Sequence, residues 1–245
     1  IDQISNGRFS LNIVSAWWEQ EMREYGGEWV AHGERYERTR EFIEVMRGMW
    51  SEEEFTFEGR YYSVEKAHLE PKPVRKPWPT LYAGGESEDA KQMISRFCDG
   101  YLMHGDPSEN VKPKVDEMAA RRRELGLQPM TYGIAAYVVC RKSDAEVKKE
   151  IDRICDVKDT AGYFGFKDFT TQSQLERELS LRDYSVSNRG LRTGLTGTPD
   201  QIAERMVEFR KAGVEIFLMQ MSPMIEEMER FAEEVMPLVN AALKN

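Results

Sequence analysis

The chain has 245 residues, of which 40% are apolar and 31% are charged, and its net charge at neutral pH is −9. This length and apolar fraction suit one large α/β domain over residues 1–245, and the negative charge argues against nucleic-acid binding. Three widely spaced cysteines argue against a disulfide framework, and three histidines without a metal-binding motif argue against a protein-bound metal. No apolar run reaches membrane-spanning length and no signal peptide is visible, so we expect a cytoplasmic protein that does not bind membranes.

The predicted elements begin with the end of a helix. Residues 1–4 have a helical pattern, and Ser5, Asn6 and Gly7 form a typical C-terminal turn. We therefore expect the chain to begin inside a structural unit. Residues 9–15, which are mostly apolar or β-forming, predict the first strand.

The remainder of the chain alternates short apolar runs with helical patterns. Further strands are predicted at residues 80–83, 100–104, 132–140 and 215–221. Helices are predicted at residues 37–50, 86–97, 107–125, 199–212 and about 224–243. Strands that alternate with helices are typical of parallel β/α units.

Two segments interrupt this alternation. Residues 16–79 form an insertion that is rich in aromatic residues over residues 16–36 and contains a predicted hairpin at residues 55–62. Residues 156–197 form a long excursion whose end is rich in glycine and polar residues. Loops of this length in compact domains are usually functional lids, and a disordered surface connection is the alternative.

The five predicted β/α units are too few to close a barrel, which needs eight. An open sheet that ended at residues 9–15 would expose an apolar edge strand. We therefore predict a TIM (β/α)8 barrel that lacks its first three β/α units here. An open, doubly wound parallel sheet is the alternative.

Residues 80–91 carry the most informative local pattern. A short buried strand ends at Gly84 and Gly85 and turns directly into a helix, with Glu86 and Ser87 at the helix N-terminus. Unpaired backbone N–H groups and the helix dipole favour an anion at such a position. The two glycines allow the backbone to approach a ligand closely. The pattern predicts a phosphate site, and an ordinary glycine turn with a Ser or Glu cap is the alternative.

Several motifs, in the same order along the chain, resemble those of the bacterial luciferase-like flavin monooxygenases. They are NGRFSLNIVS (6–15), ERYE (34–37), FEGRY (57–61), LEPKP (69–73), PTLYAGGES (79–87), LTGTP (195–199) and SPMIEEMERF (222–231). The resemblance covers essentially the whole chain and is strongest to the dimethylsulfone monooxygenase branch, through SAWW (15–18), MHGDP (103–107) and YSVSNRGLR (184–192). Because the family fold is a TIM barrel, the resemblance also implies that three N-terminal strands are absent.

The resemblance implies reduced FMN (FMNH2) as the cofactor, with its phosphate at Gly84, Gly85, Glu86 and Ser87. Because a carboxylate beside a phosphate would repel it, we expect Glu86 to contribute only its backbone. The other cofactor-contacting positions that the family implies are Asn12, Glu21, Arg35 and Tyr36. From the residues alone, Asn12 also fits a core position, and the other three also fit a surface ion pair beside a helix start.

The positions that match the family's substrate pocket favour a small neutral substrate. The alkanesulfonate branch has an arginine and a histidine where this chain has Ala135 and Tyr137, and a tyrosine where it has Ser222. Without the guanidinium, a buried sulfonate would lack its charge partner. His104 replaces a tryptophan of that branch and, with Tyr137, is a candidate catalytic residue for proton transfer, with packing as the alternative.

Two pairs of residues complete the predicted site. Trp17 and Trp18 are expected to wall the substrate pocket against water, and packing or a subunit contact is the alternative. Arg189 and Arg192, on the excursion, are predicted to close over the cofactor, and solvated loop charges are the alternative.

The resemblance implies an FMNH2-dependent monooxygenase of a two-component system. A separate NAD(P)H-dependent FMN reductase is the expected partner, because the chain lacks the GxGxxG fingerprint of NAD binding. With O2, the enzyme would convert dimethylsulfone to methanesulfinate and formaldehyde, as a homo-dimer or homo-tetramer. The alternatives are an alkanesulfonate or other luciferase-like monooxygenase, a deazaflavin-dependent reductase and a non-catalytic flavin-binding protein.

Overall fold

The computed structural model describes residues 1–16, 18–156 and 190–244 of the chain. Trp17 and most of the predicted excursion, residues 157–189, therefore lie outside the described residues. The chain divides into two compact units, Ile1–Tyr101 with Arg121–Met130 and Leu102–Ala120 with Thr131–Asn245. None of the helices in the described part is long and apolar enough to span a membrane.

Helices and strands alternate along most of the chain, as the sequence predicts. Up to residue 130 they are α1 (Asp2–Ser5), β1 (Ser10–Ile13), α2 (Glu19–Glu24), α3 (His32–Ser51), β2 (Phe55–Glu58), β3 (Ser63–Ala67), β4 (Thr80–Ala83), α4 (Glu88–Phe97), β5 (Gly100–Met103) and α5 (Ser108–Glu124). From residue 131 they are β6 (Thr131–Tyr137), β7 (Val139–Cys140), α6 (Asp144–Ile154), a 3-10 turn (Gly190–Thr193), β8 (Thr196–Gly197), α7 (Pro199–Lys211), β9 (Ile216–Gln220), α8 (Met224–Arg230), a π-helical turn (Phe231–Val235) and α9 (Met236–Ala242).

The first unit is built on parallel pairing of β1, β4 and the start of β5. β4 lies in the middle, with Asn12 opposite Tyr82 on one side and Ala83 opposite Tyr101 on the other. Leu81 and Ala83 are completely buried, as expected for a parallel strand that is covered on both faces. The parallel register confirms the predicted β/α pattern for this unit.

α4 follows β4 and packs against both β4 and α3. Its buried residues include Ala90, Met93 and Ile94, which share one helix face. Ser87 is the N-cap, and its hydroxyl accepts a hydrogen bond from the N–H of Ala90 at 3.2 Å. The helix therefore begins at Glu88, two residues later than predicted, because Ser87 acts as the cap rather than as a helical residue.

A buried carboxylate on α3 holds the turn of the β2–β3 hairpin. The antiparallel pairing confirms that a hairpin forms here, but its second strand, Ser63–Ala67, lies beyond the predicted range of residues 55–62. Glu41 is 3% exposed. Its carboxylate accepts hydrogen bonds from three successive backbone N–H groups, those of Arg60 (2.9 Å), Tyr61 (2.7 Å) and Tyr62 (3.1 Å). Burial alone would raise the pKa of Glu41, but these donors and the Arg40 charge bring that pKa below its ordinary value. The ionised carboxylate therefore ties the hairpin to α3.

The second unit contains the parallel pair β6 and β9, in which Ala135 lies opposite Leu218. α7 begins with a capping box, in which Thr198 and Gln201 each accept a hydrogen bond from the other's backbone N–H. The buried face of α7 consists of Ile202, Ala203, Met206 and Phe209. This sequence motif explains why the predicted start of the helix agrees with the structure.

The structure differs from the predicted boundaries most clearly in three places. α3 begins at His32, whereas the predicted helix begins at residue 37. The N-cap residue Ala31 has no side chain that can cap a helix, so the sequence gives no signal at the observed start. The fourth predicted strand breaks after Tyr137 into β6 and β7. The last predicted helix is interrupted by the π-helical turn Phe231–Val235, whose end residues are both buried. A π-helical turn is a local change of pitch that an average helical period does not reveal.

Replacing Glu41 by Gln should lower the free energy of unfolding by about 1–3 kcal/mol, because the amide presents one acceptor oxygen to donors that now share a carboxylate. The contribution of the wild-type carboxylate is present above the pKa of an unfolded Glu and is lost as the pH falls through the lower folded value. Urea denaturation at several pH values measures both effects. Glu37→Gln, on the same helix with its side chain 63% exposed, is the control and should change stability by less than about 0.5 kcal/mol. Equal midpoints for the two variants would contradict the role given to Glu41.

Candidate functional site

The turn between β4 and α4, residues 84–87, is the predicted phosphate site. A Cβ on Gly85 would lie 2.5 Å from the Cβ of Ala90, so a larger residue would displace α4. The carbonyl of Gly85 accepts a hydrogen bond from the Tyr101 hydroxyl at 2.9 Å. The turn is therefore packed against α4 and fixed by a hydrogen bond from β5.

The first turns of α3 place three side chains around Ser87. His32 Nε2 lies 3.0 Å from Ser87 Oγ, and the Tyr36 hydroxyl lies close enough to the same Ser87 side chain for Ser87 to limit the rise that burial causes in the pKa of Tyr36. Arg35 Nη2 donates to His32 Nδ1 at 3.1 Å. Residues three and four apart share a helix face, so these three side chains project together. We refer to the group as the Ser87 cluster, which consists of His32, Arg35, Tyr36, Gly85 and Ser87.

Arg35 is the cation of the Ser87 cluster. Its Nη1 donates to the carbonyl of Ala16 at 2.7 Å, and its guanidinium carbon lies 4.2 Å from the centre of the Trp29 ring. The neighbouring carboxylate of Glu88 is neutralised by Arg121, which donates two hydrogen bonds to it at 2.8 and 2.7 Å. The guanidinium of Arg35 is thus held in place, and Glu88 does not cancel its charge.

Burial keeps the other titratable groups of the cluster uncharged. Burial and the Arg35 charge lower the pKa of His32, and the charge of Asp89 only partly opposes this shift. The imidazole is therefore neutral at neutral pH. Burial likewise raises the pKa of Tyr36, so its hydroxyl keeps its proton. The cluster combines one fixed positive charge with neutral hydrogen-bond donors, which suits an anion that has several oxygen atoms.

A cavity of about 420 Å³ opens beside β1 in the same unit, a size found for small-molecule sites. Its walls come from β1, α2, α3, the segment between the two helices and Tyr62 of the β2–β3 turn, and they are mainly apolar. Asn12 and Arg35 both line it, together with the ring of Trp29. Asn12 is exposed in β1 rather than buried in the core. Arg35 therefore belongs both to the Ser87 cluster and to the cavity wall.

The structure brings together half of the predicted cofactor-binding residues in the Ser87 cluster, namely Arg35, Tyr36, Gly85 and Ser87. Gly84 and Glu86 lie on the same turn as Ser87, and Asn12 lines the cavity. Glu21 lies on α2 and is not one of the residues that line this cavity. Trp18 is half-buried and directly precedes α2. The roles of these residues remain predictions.

His32 is the member of the Ser87 cluster that the sequence analysis does not single out. It lies three residues before Arg35 and four before Tyr36, which is the spacing of one helix face. That spacing is informative only if α3 begins at His32, and the predicted helix starts at residue 37. A more accurate helix start would have placed His32 beside the two predicted residues.

In the second unit, two of the predicted site residues lie close together. The side chain of Ser222, which follows β9, is near enough to the hydroxyl of Tyr137, at the end of β6, to limit the rise that burial causes in the pKa of Tyr137. Arg153 Nη2 donates to the carbonyl of Ser222 at 3.2 Å. Burial raises the pKa of Tyr137, while Ser222 and Arg153 limit the rise. Ala135 lies two residues before Tyr137, so both side chains project from the same face of β6.

Arg192, the predicted lid residue that the structure describes, takes part in a buried ion pair. Its Nη2 lies 2.8 Å from Oδ1 of Asp106, whose side chain is 3% exposed. Lys114 Nζ lies 3.5 Å from the other oxygen of Asp106. His104 lies directly after β5 and is half-buried, two residues before Asp106. Arg189 lies outside the described residues.

The chain matches the model of the luciferase-like monooxygenase family over residues 1–215. It therefore belongs to this family, as the collinear motifs and the glycine turn after β4 predict. Family membership confirms the resemblance, and it confirms the α/β class with a luciferase-like fold. The absence of three N-terminal β/α units stays a prediction.

An FMNH(2)-dependent dimethylsulfone monooxygenase of Pseudomonas fluorescens (strain Pf0-1) is 35% identical over 98% of this chain and 67% of its own length. The enzyme of the same name from Pseudomonas putida is 34% identical over 98% of this chain and 68% of its own length. The crystal structure of a long-chain alkane monooxygenase matches with a TM-score of 0.82 and 17% identity, over 98% of this chain and 64% of that chain. The chain thus spans about two thirds of the length of these relatives.

Replacing Asp106 by Asn should lower the free energy of unfolding by about 2–4 kcal/mol, because Arg192 and Lys114 would lose the charge that neutralises them. Urea denaturation followed by circular dichroism measures the change. Asp116→Asn is the matched control, because Asp116 also pairs with a lysine, at 2.6 Å, but its side chain is 59% exposed. The control should change stability by less than about 0.5 kcal/mol. A loss in the control as large as in Asp106→Asn would contradict the importance of burial.

Proposed function

We propose that the protein is the FMNH2-dependent monooxygenase of a two-component system and that its substrate is dimethylsulfone. Two relatives that are 34–35% identical to 98% of the chain carry this activity in their names. A separate NAD(P)H-dependent reductase supplies FMNH2, and O2 is the oxidant. The reaction balances as dimethylsulfone, O2 and FMNH2 giving methanesulfinic acid, formaldehyde, FMN and water.

The Ser87 cluster is the observation that supports the proposal most directly. A flavin phosphate carries nearly two negative charges at neutral pH and has three oxygen atoms that accept hydrogen bonds. Ser87 and Tyr36 supply hydroxyl groups, Arg35 supplies a guanidinium, and the first turn of α4 supplies backbone N–H groups. Glu86, on the same turn, contributes its backbone, because its carboxylate would repel the phosphate. The donor set therefore fits the phosphate of FMN.

When bound, FMNH2 supplies the electrons that activate O2. The residues of this chain bind the cofactor, orient it and limit the access of water. Arg35 links the phosphate site to the cavity beside β1, because it takes part in both. Asn12 lines that cavity and supplies an amide that can hydrogen-bond to the flavin ring. The mainly apolar walls keep water from the reacting groups.

The residues of the second unit that match the family's substrate pocket support a neutral substrate. Ala135 stands where the alkanesulfonate branch has an arginine, so β6 offers no cation at that position. The hydroxyls of Tyr137 and Ser222 are uncharged and lie close together. Hydroxyl groups can donate to sulfone oxygens without a net charge. His104 and Tyr137 remain the candidates for moving a proton, and a homo-dimer or homo-tetramer remains the proposed assembly.

Tyr36→Phe should weaken FMN binding by about tenfold, because it removes one hydroxyl from the phosphate site and little else. Riboflavin lacks the phosphate, so its affinity should change less than about twofold. Quenching of tryptophan fluorescence during anaerobic titration with each reduced flavin measures both affinities. Tyr25→Phe is the control, because Tyr25 is 81% exposed in the same unit. Equal losses for both flavins in Tyr36→Phe would contradict a phosphate site at Ser87.

With a flavin reductase and NAD(P)H, the protein should consume O2 faster with dimethylsulfone than with ethanesulfonate. Ala135→Arg should reverse this preference, because a guanidinium on β6 pairs with a sulfonate and fills space that a sulfone would use. Oxygen uptake and formaldehyde release measure the turnover, and the reductase alone gives the background. Wild-type turnover of the sulfonate but not of the sulfone would make an alkanesulfonate the better assignment. Failure to bind any flavin would favour a non-enzymatic role.

A further inference from the structure

The hydroxyl of Ser87 forms hydrogen bonds with two groups in the described part of the chain. The N–H of Ala90 donates to its oxygen at 3.2 Å, and His32 Nε2 lies at 3.0 Å. The Tyr36 hydroxyl lies close to the same side chain. A hydroxyl group has two acceptor positions and one hydrogen. The N–H of Ala90 can only donate, so the direction of the hydrogen bond between His32 and Ser87 depends on which nitrogen of His32 carries the proton.

Arg35 determines which ring nitrogen of neutral His32 carries the hydrogen. A guanidinium has only donor groups, and Arg35 Nη2 lies 3.1 Å from His32 Nδ1. The Nδ1 atom must therefore be the acceptor, and in the neutral ring the hydrogen is on Nε2. The lowered pKa of His32, caused by burial and by Arg35 against the opposing charge of Asp89, agrees with this neutral form.

With the hydrogen on Nε2, His32 and the N–H of Ala90 fill both acceptor positions of Ser87. Neither of these two groups uses the hydroxyl hydrogen of Ser87, so that hydrogen can be donated to a bound ligand or to the nearby Tyr36 hydroxyl. If it is donated to Tyr36, the Tyr36 hydroxyl can donate its own hydrogen to the ligand.

The opposite tautomer would give the opposite result. If His32 Nε2 were an acceptor, Ser87 would donate its one hydroxyl hydrogen to the ring. The Ser87 oxygen would then present a lone pair to an anion, which the anion repels. The tautomer of His32 thus decides whether the Ser87 hydroxyl attracts or repels a phosphate.

We propose that His32 is a positioning residue that makes Ser87 act as a donor toward the phosphate of the flavin. The sequence of donors runs from Arg35 to His32, from His32 to Ser87, and from Ser87 to the phosphate. His32 need not touch the ligand, because it acts through Ser87. This role rests on the proposed flavin function. It adds His32 to the site and explains how the site would favour FMN, which has a phosphate, over riboflavin, which does not.

The test compares His32→Gln with His32→Ala in the complete chain. The Gln amide has an oxygen that can accept from Arg35 and an NH2 group that can donate to Ser87, so it keeps the direction of the hydrogen bonds, whereas Ala removes it. Affinities for reduced FMN and reduced riboflavin come from fluorescence titration, and thermal unfolding confirms that both variants are folded. His32→Ala should lower the preference for FMN over riboflavin about tenfold, and His32→Gln by less than about threefold. A merely structural role would weaken both flavins together and leave their ratio unchanged.

A second measurement determines the tautomer of His32 directly. The protein has three histidines, so comparison of the wild type with His32→Gln assigns the ring signals of His32 in a long-range 15N–1H NMR spectrum. We expect an unprotonated Nδ1 and a protonated Nε2 in the free protein. A protonated Nδ1, or a wild-type FMN preference in His32→Ala, would overturn the proposal. A wild-type protein that binds neither flavin would overturn the proposed function instead, and the tautomer would still show whether Arg35 controls His32.

Discussion

The meeting of two helix starts at a single hydroxyl is the constraint on which the candidate cofactor site depends. Ser87 caps α4, and the first turns of α3 bring His32 to the same oxygen atom and Tyr36 close to it. Neither helix alone makes the site, because α4 supplies the cap and backbone donors while α3 supplies the cation and ring donors. Gly85 allows this approach, since a Cβ there would lie 3.2 Å from the Tyr36 hydroxyl and closer still to α4. The family's motifs around residues 34–37 and 79–87 therefore describe one place in the molecule.

The sequence is sufficient for the elements whose signals are local. The strand of residues 80–83 and the helix after Thr198 agree with the structure because glycine turns and a capping box mark them. The start of α3 was missed because Ala31 gives no cap signal, and the break in the last helix was missed because a π-helical turn leaves no periodic trace. The boundaries that failed are those that tertiary packing rather than local chemistry determines.

The candidate site likewise contains residues with a local sequence signal and residues without one. One short segment of the sequence is enough to predict the glycine turn with Ser87, because an anion site at a helix start needs few residues. Arg35 and Tyr36 came from the family resemblance, since a charged and an aromatic residue at a helix start have many uses. His32 needs the three-dimensional contact with Ser87, 55 positions away in the sequence. The ion pair of Arg192 with Asp106 likewise joins distant segments and has no local signal.

α3 connects the Ser87 cluster to the β2–β3 hairpin through a single rigid element. Its first turns hold His32, Arg35 and Tyr36, and Glu41 anchors the hairpin turn one to two helical turns further on. A ligand that binds only the folded form of the cluster stabilises every segment whose detachment requires α3 to loosen. Cofactor binding should therefore also stiffen the β2–β3 hairpin through α3, so that the cofactor-bound protein resists proteolytic cleavage at the hairpin.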